Sequence, residues 1–208
     1  MINKDALKDL NIVRAVLDHY EVPFFLAYGT CLGAYRDKDF LPEDDDIDLG
    51  VVAKVPLKTK IAIGKEMEDM GFMSQGIGWA EHQEKNLDEV KWVPNQGGYQ
   101  GTDRTGIIVM GRFVNFTIFF FYEDGDEYTC IPRKGVFPVL ATPKKYYKKF
   151  NKIKFYEQEY NVPSPTDEYL DFTYLDWKDP TKRDHGLLYA QTHTEKQLLD
   201  RLRSSFRD

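Results

Sequence analysis

Two neighbouring stretches hold residue types that could do chemistry together. The first is Tyr28-Gly29-Thr30-Cys31-Leu32-Gly33-Ala34-Tyr35-Arg36; the second runs Glu43-Asp44-Asp45-Asp46-Ile47-Asp48-Leu49-Gly50-Val51-Val52. Phe24-Phe25-Leu26-Ala27, just before the first, reads as a buried strand that ends in a Gly29-Thr30 turn. In the second stretch, acid alternates with apolar residue as a new strand begins. Asp46 and Asp48 then share one face, roughly 7 Å apart at ~3.3 Å of rise per residue, while Ile47 turns into the core. Two convergent carboxylates beside a glycine turn can hold a divalent cation against a phosphate. Acidic runs are more often solvated loop, and that account suits Glu43, Asp44 and Asp45. It does not explain why the run continues into Ile-Asp-Leu-Gly-Val-Val. A charge carried into an apolar strand needs an opposite charge or a metal. Spacing alone leaves the two readings level.

The surrounding pattern predicts the elements that position these residues. Over Asp5 to Tyr20, Leu7, Leu10, Val13, Leu17 and Tyr20 form one helical stripe that would cover a sheet face, with His19 as a cation at its C-terminal end. Phe24 to Tyr28 is the first strand. Cys31 to Arg36 suits a single helical turn whose leading amides make an anion site beside Gly29 and Thr30. There Gly29 allows close backbone approach and Thr30 offers a hydroxyl. Arg36 reads equally as a phosphate partner or as a structural ion pair, for instance with Asp39 and the acidic loop.

Asp46 to Ala53 is the second strand, ended by Pro56. A helix over Lys58 to Met70 carries Ile61, Lys65 and Met67 or Met70 and closes at Gly71. Phe72 to Gly78 and Asp88 to Val93 read as strands or extended loops. Residues 95–102 are glycine-rich without a phosphate-cradle order, hence a mobile loop or hairpin tip. Gly106 to Met110 and Arg112 to Tyr122 read as strands, and Asp124-Gly125 as a hairpin turn leading to Glu127 to Ile131. Ser164 is the expected N-cap and Pro165 the first residue of a helix to about Tyr174. Thr194-Glu195-Lys196-Gln197 has the form of a capping box opening a last helix. Lysines 144, 145, 148, 149, 152 and 154 make a basic patch. Its plainer reading is a solvated face with the intervening Tyr and Phe turned inward; the alternative is a platform for an anionic acceptor.

With 208 residues, 30% of them charged and 42% hydrophobic, the chain suits one soluble globular domain. The net charge of −6 weighs against affinity based on neutralising a phosphate backbone, so no nucleic-acid partner is expected. Cys31 and Cys130 form no C-x-x-C pair, and reduced thiols in a cytoplasmic setting are expected. No run is long and apolar enough for a transmembrane segment, and the N-terminus lacks a signal-peptide core. Asn115-Phe116-Thr117 has the form of a glycosylation sequon but falls inside an apparent strand and is set aside. His82, His185 and His193 have neither metal-ligand spacing nor a nucleophile partner.

The Gly29-Thr30 and Asp46-Ile47-Asp48-Leu49 pattern resembles the nucleotidyltransferase superfamily. More narrowly, the segment from Tyr28 to Leu49 resembles the LicD/fukutin family of phosphotransferases. A second block resembles that family's closing segment: Asn161-Val162-Pro163, Glu168-Tyr169-Leu170, Tyr174-Leu175-Asp176-Trp177 and Pro180. The two blocks span most of the chain.

The resemblance implies one LicD-like domain over residues 1–208, an α+β fold with a nucleotidyltransferase-type mixed β-sheet and helices packed mainly on one face. It implies transfer of a phosphoryl-alcohol group, phosphocholine-like or polyol-phosphate, from a CDP-activated alcohol to a glycan or glycopolymer hydroxyl. Asp46 and Asp48 would hold Mg²⁺ or Mn²⁺, and Gly29, Thr30 and Arg36 would meet the donor phosphates. Asp44 or Asp45 is the candidate general base. A third carboxylate usually comes from a later strand. Here that slot falls to Thr117 or, in a shifted register, to Asn115; the two share a face and neither is an acid. Such a site could work with one metal, borrow Asp103 or Asp124, or have lost catalysis. Two alternatives therefore stand beside the first: transfer of a nucleoside monophosphate from an NTP to a small molecule or protein, and a non-catalytic nucleotide- or glycan-binding protein.

Overall fold

The computed structural model describes residues 4–42, 44–75, 91–93, 98–100, 107–129, 141–174 and 176–181. The fold is α+β. Helix α1 (Ala6–His19) buries Leu10, Val13, Val16 and Leu17 at the expected spacing, and strand β1 (Phe25–Leu26) follows. Helix α2 (Tyr28–Leu32) then runs directly into a wider π turn over Gly33–Asp37. Strand β2 (Asp46–Val51) leads to α3 (Leu57–Asp69) and β3 (Met73–Gln75). Strands β4 (Lys91–Val93) and β5 (Gly98–Gln100) pair antiparallel as a separate hairpin. Strands β6 (Ile107–Met110) and β7 (Asn115–Phe120) complete a five-stranded mixed sheet in the order β1-β2-β7-β6-β3, in which β2 and β7 run parallel and the other described pairs antiparallel.

Strands β8 (Tyr122–Asp124), β9 (Glu127–Thr129) and β10 (Ala141–Pro143) form a second sheet around the expected Asp124-Gly125 turn. A 3₁₀ turn over Lys144–Tyr147 leads to the hairpin of β11 (Phe150–Phe155) and β12 (Gln158–Pro163), and α4 (Thr166–Thr173) closes the described fold. Among the described residues no helix is long and apolar enough to cross a membrane.

One face of the central sheet is apolar: Ile47, Leu49 and Val51 on β2 stand beside Phe116, Ile118 and Phe120 on β7, and all are buried. On α3 the inward row is Lys60, Ile63 and Met67, whereas Met70 is exposed. Lys60 is fully buried and its ammonium lies 4.1 Å from the Phe120 ring centroid, a cation–π contact strengthened by the absence of water. His19 Nδ1 meets the Glu66 carboxylate at 3.0 Å and so ties α1 to α3.

Several expected boundaries move. The first strand stops at Leu26 because the backbone turns at Tyr28, which has a φ of +42°, and enters a helix; Gly29 and Thr30 lie in that helix's first turn rather than in a strand-end turn. Ser164 does not cap α4. Its hydroxyl donates to Asn151 on β11, the Thr166 hydroxyl donates back to the Pro163 carbonyl, and the helix begins at Thr166 with Pro165 before it. The lysine patch is the solvated face: Lys144, Lys145 and Lys152 pair with Glu123, Glu168 and Glu159, and Tyr146 and Tyr147 turn inward. The helix expected at Thr194, His82, His185, His193, Cys130, Asp103 and the tip of the glycine-rich segment lie outside the described residues.

Gly50 on β2 is covered by the Phe25 ring so closely that an added Cβ would collide with it. Gly50→Ala is therefore expected to cost about 2 kcal/mol by overpacking, a fall of roughly 4–8 °C in the unfolding midpoint for a chain of this size. Thermal melts of the two proteins check it.

Candidate functional site

The strand period places Asp46 and Asp48 on the face opposite Ile47 and Leu49, at the start of β2, and both are partly buried. Their backbone is pinned from the other side of the site. The Asp48 N–H donates to Thr30 Oγ1 at 2.9 Å, and the Ala27 N–H donates to the Asp48 carbonyl at 3.0 Å. Thr30 is itself buried, so its oxygen serves the strand rather than facing solvent. That use was not legible in the sequence, where Thr30 read as a donor to phosphate.

The parallel register sets Asn115 beside Asp46 and Thr117 beside Asp48. The Thr117 hydroxyl hydrogen-bonds the Asp46 carboxylate, while Asn115 is exposed at the rim of the sheet. Both candidates for the third position are thus at the site, and both are neutral. Asp124, one of the two acids offered as a substitute, sits in the second sheet opposite Glu127.

The two carboxylates carry their charge at a cost. Burial is the largest cause that lifts the Asp46 carboxyl above its ordinary value, followed by the charge of Asp45; the Thr117 hydrogen bond works against this. Asp48 is pushed well above its ordinary value by burial first, then by the charges of Asp46 and Asp44. Among the described residues neither carboxylate has a cationic side-chain partner. An acidic pair desolvated in this way fits a bound cation, which would supply the missing positive charge. The donor set is lean, because among the described residues no three His, Cys, Asp or Glu side chains converge as metal ligands.

The remaining candidates fall around this pair. An oxygen of Asp44 lies 2.6 Å from where a Cβ on Gly29 would sit, so only glycine admits the acidic loop there. The spot on Gly29 expected for a phosphate is thus covered by Asp44. Arg36 points elsewhere: Nε and Nη2 each donate to the Asp37 carboxylate at 2.7 Å, and Nη1 donates to the Trp177 carbonyl at 2.8 Å. Asp39 pairs with the Tyr156 hydroxyl and the Phe40 N–H rather than with Arg36. Arg36 therefore joins the opening segment to the closing one.

That closing segment holds Tyr174, part of the second sequence block but given no role at the site there. Tyr174 is buried, and burial first, then the charge of Asp48 and more weakly that of Asp44, pushes its hydroxyl well above its ordinary value, so it stays protonated at neutral pH. The available signal was its place in the second sequence block, about 125 positions from the acids.

Geometry alone defines an α+β domain with paired strand carboxylates beside a glycine-opened helix. Residues 21–165 match the family described as "LicD/FKTN/FKRP, nucleotidyltransferase domain", and the chain belongs to that family. Among curated proteins it is 29% identical over 185 residues to "Ribitol-5-phosphate transferase FKTN" of Macaca fascicularis and 28% identical over 185 residues to the Homo sapiens protein of that name, covering 86% of this chain and 34% of each relative. The Mus musculus protein is 28% identical over 188 residues, covering 88% of this chain and 35% of its own length. This chain thus spans about a third of the length of the curated relatives it matches.

The Asp48 carboxyl is raised above the ordinary 3.8. The stability linked to its protonation is full below that value and is lost as pH rises through the folded-state value. In EDTA at pH 7.5, Asp48→Asn is expected to raise the unfolding midpoint by about 2–4 °C, roughly 1 kcal/mol for this size, and the gain should vanish near pH 4. An equal shift at both pH values would contradict the desolvated carboxylate.

Proposed function

We propose that the protein transfers a phosphoryl-alcohol group, such as ribitol phosphate or phosphocholine, from a CDP-activated donor to a glycan hydroxyl. The observation that carries this reading is the pair Asp46 and Asp48, desolvated and without a counter-cation among the described residues, in a chain of the LicD family. The relatives' name, ribitol-5-phosphate transferase, supports a polyol phosphate as the group moved. In the reaction a bond forms between the acceptor oxygen and the donor's alcohol-bearing phosphorus, the bond from that phosphorus to the bridging oxygen breaks, and CMP leaves. The acceptor proton passes to a carboxylate, for which Asp44 is the candidate.

Asp46 and Asp48 would hold Mg²⁺ or Mn²⁺, which when bound neutralises phosphate charge and polarises the phosphorus–oxygen bonds. Thr117 orients Asp46 through its hydroxyl, and Thr30 with Ala27 keeps Asp48 in register. Tyr174, kept protonated, offers a hydrogen bond to an anionic group at the acid cluster. Asp44, resting on Gly29, must yield that place when a phosphate is set down there.

One observation favours a second reading, a binding protein without turnover: the neutral Asn115 and Thr117 at the third position. Purified protein incubated with Mn²⁺, an oligosaccharide acceptor and CDP-ribitol or CDP-choline separates the readings. CMP release coupled to acceptor modification is expected, falling at least ~100-fold in Asp46→Asn and Asp48→Asn. Pyrophosphate release from an NTP would instead show nucleotidyl transfer, and nucleotide binding with no product from any donor would show the non-catalytic form.

A further inference from the structure

We infer that the acceptor lies across the open face of the central sheet, on a row of side chains running from Asp46 through Asn115 and Met110 to Met73, and that this row takes uncharged sugar units. The inference rests on the proposed function and adds the acceptor's place and chemistry. Strand register sets the row: Asp46 stands level with Asn115, Asn115 with Met110, and Met110 with Met73, so all four project from one face of four adjacent strands. With strands ~4.8 Å apart, the row reaches about 14 Å from the acid to the sheet edge, room for a short oligosaccharide. The alternate residues Ile47, Phe116 and Val109 turn to the other face and are buried in the core. The row's own face is open. Asn115 is exposed, Met110 is half-buried, and Met73 is 62% exposed, the most of any large apolar side chain among the described residues.

Two physical reasons give this row to the acceptor. An in-line displacement needs the attacking and leaving oxygens on opposite sides of the phosphorus. The proposed donor sets its phosphates down toward Gly29 on α2, which follows β1 and is bonded to β2 through Thr30; the attacking hydroxyl then comes from the β7-β6-β3 side. The second reason is chemical. A pyranose ring has an apolar C–H face and a rim of hydroxyls. Flexible thioether side chains mould to the first, and the Asn115 amide, both donor and acceptor, meets the second. The row holds no positive charge and has an acid at its inner end, so an uncharged sugar suits it and an anionic one is disfavoured. Arg112, in the turn after β6, holds its guanidinium over Gly71, beyond the start of β3.

A glycan array carrying neutral oligosaccharides and their phosphorylated forms, probed with the intact protein, tests the row without turnover. Neutral glycans are expected to be retained. Calorimetry with the strongest of them should show Met73→Glu weakening binding at least about tenfold and Met73→Leu by less than about twofold. Phe113→Ser removes an exposed ring that lies under Lys8 of α1 and outside the row, and should leave binding unchanged. With CDP-ribitol or CDP-choline as donor, Met73→Glu should raise the acceptor KM by the same factor while the donor KM and the release of CMP to water stay as they are. Retention of phosphorylated glycans alone, retention of no glycan, or equal binding by Met73→Glu and the unaltered protein would overturn the inference. So would a dimer that Met73→Glu splits without moving glycan binding, which would give the row to a second copy. The proposed function fails separately, if neither donor yields a product.

Discussion

The Asp48 peptide unit is gripped twice, its N–H by the Thr30 hydroxyl and its carbonyl by the Ala27 N–H. These bonds join the entry to α2 and the start of β2 into one piece. They matter because the side chains they position resist being there. Asp46 and Asp48 are drawn out of water side by side, and Asp44 and Asp45 add like charge from the adjoining loop. Left to itself, such a group would splay apart or protonate. The buried row Ile47, Leu49 and Val51 on the opposite face supplies the opposing force, since moving the acids outward would lift three apolar residues from the core.

A second constraint comes from the far end of the described chain. Arg36 lies on the π turn that continues α2 and binds the Trp177 carbonyl, while Trp177 Nε1 donates to Asp171 on α4. Tyr35 donates to Asp167 on the same helix. The opening and closing sequence blocks are thus laced together by polar contacts, and Tyr174 is buried where the charge of Asp48 acts on it. The β11–β12 hairpin holds the intervening loop through Tyr156 and Asp39 and through Phe40 packed on Phe155. Loop, helix and closing segment are one supported structure around the carboxylate pair.

Local pattern carried much of this. Helix α1, strand β2 and the Asp124-Gly125 hairpin follow periods of 3.6 and 2 or a turn dipeptide, signals that need no distant partner. The shared face of Asp46 and Asp48 was legible for the same reason. Positions set by distant partners were not. Tyr28 looks like a strand end but takes a left-handed backbone. Ser164 looks like an N-cap but is claimed by Asn151. Arg36 looks like a phosphate ligand, and its fork is filled by Asp37.

By itself the sequence determined that two acids enter an apolar strand on one face, that Gly29 and Thr30 lie near them in the chain, and that the third position is not acidic in either candidate residue. Such facts depend only on residue type and on the two-residue repeat of a strand. Tertiary structure alone decided that β7 runs parallel to β2 with Thr117 level with Asp48, that Thr30 spends its oxygen on backbone, that Asp44 covers Gly29, and that Tyr174 is buried within the field of Asp48. Register between strands and the docking of a remote segment come from packing summed over the whole fold, and no local pattern encodes them.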